Sequence, residues 1–121
     1  MRFINIWFKC RPGEAEQLLA IFRPMLPWIR ARDGMLYFEP SLRDAEPDTV
    51  LVSECFASDA AHAAMWATPE FRRVGDALDR LVISRRVDVH HADTVLTDMR
   101  GDDPPDAGTG RLPPQTPADP P

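Results

Sequence analysis

The sequence predicts an α+β subunit with the chain order βαββαβ, a ferredoxin-like arrangement in which an antiparallel sheet carries helices on one face. Two observations predict it. Four short runs are dense or alternating in large apolar residues at strand length, and between them lie segments whose apolar residues recur every three or four positions. A third observation sets the limits. Residues 101–121 hold seven of the thirteen prolines and almost no large apolar side chain, so one folded domain is expected over residues 1–97, with a Pro- and Asp-rich disordered tail over 98–121.

The first strand is expected at Arg2 to Cys10, where Ile4, Ile6, Phe8 and Cys10 alternate with Phe3, Asn5, Trp7 and Lys9. Both sets contain large apolar residues, so both faces should be covered. Arg11-Pro12-Gly13 ends the strand, and Glu14 and Glu16 then place negative charge at a helix start. Leu18, Phe22, Met25 and Ile29 form one helical stripe, interrupted by Pro24 and Pro27, which predicts a kink or a second short helix near Pro24. Asp33-Gly34 supplies the stop.

Met35 to Glu39 and Val50 to Phe56 read as a strand pair joined by the polar segment PSLRDAEPDT, expected to be a mobile connection too long for a tight hairpin. Ser58 is the expected N-cap of a helix containing DAAHAAMW, and Thr68 followed by Pro69 restarts a second helix carrying Phe71, Val74, Leu78 and Leu81. From Ile83 to His91, alternation of Val87, Val89 and His91 with Arg86, Asp88 and His90 predicts a last, half-exposed strand.

Composition excludes several function classes. Twelve basic and fourteen acidic residues precede Asp98, and two basic and five acidic ones follow from it, so no nucleic-acid partner is expected. MRFINIWFKC has neither the long apolar core nor the cleavage pattern of a targeting segment, which predicts a cytoplasmic protein with no membrane association. Cys10 and Cys55 read as reduced, packed thiols. His90 and His91 are adjacent on a strand and point to opposite faces, so metal binding is not expected. No nucleotide-binding glycine loop or nucleophile motif stands out, and no cofactor is expected. A domain this small gains from a partner subunit, and a homodimer is expected.

RPGEAEQLLAIFRPML, DGMLYFEPS and TVLVSECFASDAAHAAMWATPEF together resemble the antibiotic biosynthesis monooxygenase superfamily of dimeric α+β barrels, in order from Arg2 to about Val89. The resemblance implies a subunit whose sheet pairs with that of a second copy, and a pocket between sheet and helices. It also implies cofactor-free oxygenation of a small electron-rich aromatic, a quinol or an anthrone, by O2. Several positions depart from the pattern. Met65 and Glu70 stand where quinol-oxygenase-like members usually place His, and Phe56 where most place Trp. Gly75 stands where haem-degrading members keep an iron-ligating His, and Ile6 where they keep Asn, which sets haem degradation aside. His62 stands where anthrone-type members keep a Tyr thought to donate a proton.

His62 is therefore the expected catalytic acid/base, since imidazole exchanges protons near neutral pH. Its plainer reading is a surface histidine on a packed helix. Met65 and Trp66 share its helix face at i+3 and i+4 and are the expected apolar walls, although residues of these types at this spacing are more often core. Phe56, Tyr37, Ile6 and Trp28 complete the expected substrate-binding set, while Asn5 and Trp7 are assigned to the dimer side of the sheet. Glu54, in an apolar strand, is expected in a structural ion pair. Arg72 and Arg73 read as a solvated face. A second reading of the same residues is a non-catalytic dimeric module that binds a small apolar molecule.

Overall fold

A computed structural model describes residues 1–93 of the 121. The tail expected from residue 98 onward lies outside the described residues. The chain forms β1 (Arg2–Cys10), α1 (Ala15–Phe22), a 3-10 turn (Arg23–Met25) and α2 (Leu26–Arg30). It continues through β2 (Met35–Arg43), β3 (Glu46–Phe56), α3 (Asp59–Trp66), α4 (Pro69–Asp79) and β4 (Val82–His91). The strands make one antiparallel sheet in the order β2-β3-β1-β4. This is the ferredoxin-like α+β fold predicted from the alternation of apolar periods.

Strand parity decides what each face of the sheet does. Ile4, Phe8 and Cys10 of β1 and Val50, Val52 and Phe56 of β3 are buried toward the helices, where they meet Leu18, Phe22, Ile29, Met65, Phe71, Val74 and Leu78. The opposite parity forms the outer face. There Phe3 stacks on His90 with ring centroids 4.9 Å apart, Arg86 lies 3.8 Å over the Trp7 ring, and Ser53 Oγ bonds Asn5 Oδ1 at 2.8 Å. Cys55 pairs with Phe3 in the β1–β3 register, whereas Cys10 lies beyond the Lys9–Thr49 pair at the other end, so the two thiols stay free and apart.

The expected breaks fall where backbone chemistry puts them. Pro24 and Pro27 each remove an amide donor, and the chain answers with the 3-10 turn and a separate five-residue helix. Ser58 Oγ accepts from the Ala61 amide at 3.1 Å, and Thr68 Oγ1 accepts from the Phe71 amide at 3.2 Å with Pro69 in the first turn.

The segment PSLRDAEPDT is different from expectation. It is not a loose connection: β2 runs on to Arg43 and β3 begins at Glu46. Its two prolines suggested a loop, but Pro40 sits in the edge strand β2, where a missing donor is tolerated. Pro47 falls in the register break between the Leu42–Val50 and Arg43–Glu46 pairs, where the ladder is already interrupted.

Gly34 closes the α2–β2 connection with φ of 78°, and its carbonyl accepts the Ala57 amide at 2.7 Å. An added Cβ would come within 2.5 Å of the Ala61 Cβ on α3. Gly34→Ala should therefore destabilise the fold by roughly 2–4 kcal/mol, combining left-handed strain with overpacking. Gly13 also has positive φ, but nothing lies within 4 Å of its added Cβ. Gly13→Ala should cost about 1–2 kcal/mol. Urea midpoints of the two variants check the difference, and equal losses would mean that the α3 contact adds nothing to the backbone strain.

Candidate functional site

Between the helix-facing side of the sheet and α3 and α4 lies a cavity of about 190 Å³. Its floor is Ile4 and Ile6 of β1, Phe38 of β2, Val52 of β3, and Val87 and Val89 of β4. Its helical wall is His62 and Trp66 of α3 with Phe71, Gly75 and Leu78 of α4. Three further side chains bring charge or acidity to this apolar lining: Arg2, Glu54 and Arg85.

The α3 turn explains which helical residues reach the cavity. His62 and Trp66 are one turn apart and both line it, whereas Met65, rotated toward the neighbouring elements, is 2% exposed and belongs to the core. An aromatic chain holds the wall together through edge-on contacts. Phe56 meets His62 with ring centroids 4.9 Å apart, His62 meets Trp66 at 5.9 Å, and Trp66 meets Phe71 at 5.1 Å. Ser58 caps the N-terminus of α3 and Thr68 that of α4, which fixes where each helix of this wall begins.

The structure thus brings together His62, Trp66 and Ile6 of the expected set, and separates the others. Phe56 is fully buried behind the His62 ring, and Met65 beside it in the core, so neither forms the cavity surface. Tyr37 pairs with Cys55 on the outer parity, across the sheet from the cavity. Trp28 lines a separate surface groove with Met25, Glu70 and Arg73, its ring covered by the Arg32 guanidinium at 4.3 Å. Strand alternation removes Tyr37 from the site, and the Pro24 turn carries Trp28 away from it.

Glu54 is the residue whose surroundings most contradict expectation. Among the described residues no ion pair satisfies it: its side chain is almost wholly buried, and Oε1 has no hydrogen-bond partner there. Burial pushes its carboxyl from the ordinary 4.5 up to about 8, with the Arg2 charge pulling the other way, so it is mostly protonated at neutral pH. Arg2 is drawn elsewhere, its Nη1 lying 3.4 Å from Asp59 Oδ1, which also meets His91 Nε2 at 2.9 Å. Arg2 Nε is left buried without a partner among the described residues.

Burial is also the first cause that lowers the His62 pKa, followed by the Arg2 charge, with Asp59 opposing. The imidazole is consequently neutral at pH 7 and able to accept a proton. His90 and His91 do point to opposite faces, one onto Phe3 and the other onto Asp59. Among the described residues, no three His, Cys, Asp or Glu side chains are grouped as a metal site would require.

The family model for antibiotic biosynthesis monooxygenases matches residues 1–77. The chain belongs to the antibiotic biosynthesis monooxygenase family. The match spans β1 through most of α4 and so includes His62, Trp66, Glu54 and Arg2. Solved structures share the family fold. A candidate antibiotic biosynthesis monooxygenase from Deinococcus radiodurans aligns with TM-score 0.71 at 21% identity, covering 78% of this chain and 95% of that one. A protein from Shewanella oneidensis gives 0.70 at 24% identity over 75% and 89%. A Mycobacterium tuberculosis protein gives 0.69 at 18% over 78% and 96%. At these identities the likeness shows fold alone. A comparison with curated proteins finds no match. Among the described residues no helix of this family member is long and apolar enough to cross a membrane.

Proposed function

We propose that the cavity is the active site of a cofactor-free monooxygenase acting on a small electron-rich aromatic such as a hydroquinone or an anthrone. The observation that carries this reading is a neutral imidazole, His62, set in a largely apolar cavity beside a fixed cation, Arg2.

His62 accepts a proton from the substrate, leaving a carbanion or phenolate whose charge the Arg2 guanidinium stabilises. This electron-rich anion gives one electron to O2. The resulting substrate radical and superoxide combine, forming a C–O bond, and the peroxide takes back a proton from the imidazolium. Loss of water from the hydroperoxide leaves a carbonyl, so one oxygen atom enters the product and the other leaves as water. The protein supplies deprotonation, placement against Ile6, Trp66 and Phe71, and exclusion of bulk water.

All four electrons that reduce O2 come from the substrate, two as the hydroperoxide forms and two as water leaves it, and no external reductant is required. With menadiol or anthrone as substrate, the wild-type protein should consume O2 faster than buffer and place one atom of isotopically labelled O2 in the product. Uptake equal to buffer across both substrates would favour the reading as a non-catalytic binding module. The departures at Met65 and Glu70 are the feature that makes this second reading worth the control.

A further inference from the structure

Among the described residues, two buried polar atoms in the cavity wall lack partners, and they belong to side chains of opposite kinds. Arg2 Nε is a donor on β1, and Glu54 Oε1 belongs to a carboxyl on the adjacent strand β3. In the β1–β3 register Glu54 sits opposite Ile4, and Arg2 sits opposite Phe56, so the two side chains are diagonal neighbours of the same parity. Both line the cavity. A buried polar group without a partner is costly, so two in one wall call for an occupant that satisfies them.

We infer that Arg2 Nε and the Glu54 carboxyl form a two-donor binding site for one oxygen atom of the ligand, a ring carbonyl or the phenolate or enolate oxygen derived from it. The inference builds on the reading of this cavity as a substrate site and narrows the substrate class: an aromatic ring bearing a keto or phenol oxygen conjugated with the carbon that loses its proton to His62. The two donors then hold the oxygen on which negative charge accumulates as His62 removes the proton. A hydrocarbon ring of the same shape satisfies neither atom.

The charged and titratable groups around Glu54 are few. Arg2 on β1, His62 on α3 and Arg85 on β4 line the same cavity, while β2 and α4 contribute Phe38, Phe71 and Leu78, which carry no charge. Arg85 is engaged by Asp79 at 2.8 Å, and Arg2 by Asp59 through Nη1 rather than Nε. With its carboxyl protonated up to about pH 8, Glu54 donates. Above that the carboxylate repels a carbonyl oxygen and the site is lost.

The test uses two neutral bicyclic probes differing only in the carbonyl, 1-tetralone and tetralin, titrated into the full-length protein by calorimetry from pH 6 to pH 9. Wild type should bind 1-tetralone at least tenfold more tightly than tetralin at pH 6–7, with the preference disappearing as pH rises through about 8. Glu54→Gln keeps a donor and should keep the preference without its loss at high pH. Glu54→Leu and Arg2→Leu should each reduce the preference severalfold while binding tetralin like wild type, which also reports an intact cavity. Equal affinity of wild type for the two probes, or an unchanged preference in either Leu variant, overturns the inference. These readouts need no oxygen. Failure of menadiol oxidation with the carbonyl preference intact counts against the monooxygenase reading alone, and the reverse pattern counts against the two-donor site alone.

Discussion

Glu54→Gln should make the protein more stable than wild type at pH 8 and remove most of this advantage by pH 5. The sign follows from proton binding. In the folded chain the Glu54 carboxyl holds its proton until about pH 8, whereas its ordinary value is 4.5. Between these two values the folded state binds more protons than the unfolded one, so stability falls as pH rises through that window and levels off above it. The full displacement corresponds to at most about 5 kcal/mol. Gln cannot ionise and escapes this loss. It does leave its own buried amide with the same shortage of partners, at about 1–3 kcal/mol, and this cost is independent of pH.

The informative quantity is therefore the change in the difference between the two proteins. The variant should gain several kcal/mol on wild type between pH 5 and pH 8 by urea unfolding. His62 acts in the opposite direction, because its lowered pKa costs stability as pH falls below 6.5, but it is present in both proteins and cancels. Parallel stability curves would mean that Glu54 is ionised in the folded protein and has turned to Arg2.

The case of Glu54 also shows what could and could not be read from the residues. Several helix starts and stops rested on local chemistry that needs no tertiary partner: Ser58, Thr68-Pro69, Pro24 and Gly34 each act within a few positions of themselves. Residues of the cavity depend instead on parity and on distant strands. The parity of Val50, Val52, Glu54 and Phe56 placed Glu54 on the helix-facing side, a signal available from alternation alone, but whether Arg2 would reach it was not. That depended on Asp59 and His91, which come together only when α3 and β4 close over β1.

The same limit applies to the aromatics. His62 and Trp66 could be placed on one wall from helical spacing, whereas the direction of Met65 into the core required the packing of α3 against its neighbours. Tyr37 lies on the outer face because the register of β2 shifts between Met35 and Tyr37, so that Met35 pairs with Phe56 and Tyr37 with Cys55. Val87 and Val89 lie on β4, the strand expected to be half exposed. They are 52% and 39% exposed and border the cavity, because β4 is an edge strand and its apolar row faces the cavity.

His62→Ala should lower oxygenation of menadiol at least tenfold, a floor set below the roughly 10²–10⁴-fold that general acid–base catalysis typically contributes. The substitution suits a helix already rich in alanine, and His62 is only partly buried, so the fold and elution volume should be retained. Phe56, Met65 and Phe71 remain buried beneath the site and keep its shape. Loss of activity with wild-type unfolding behaviour separates a missing base from a damaged wall.

The most direct measurement is the pH profile of O2 uptake, buffer rate subtracted, for wild type and His62→Ala with the same substrate. For wild type, a rising limb should have its midpoint below pH 6.5, where the partly buried imidazole loses its proton, and a falling limb should appear near pH 8 as Glu54 ionises. The His62→Ala protein should lose the rising limb along with most of the rate. A variant that retains both the rate and the rising limb would contradict the assignment of His62 as the group that takes the substrate's proton.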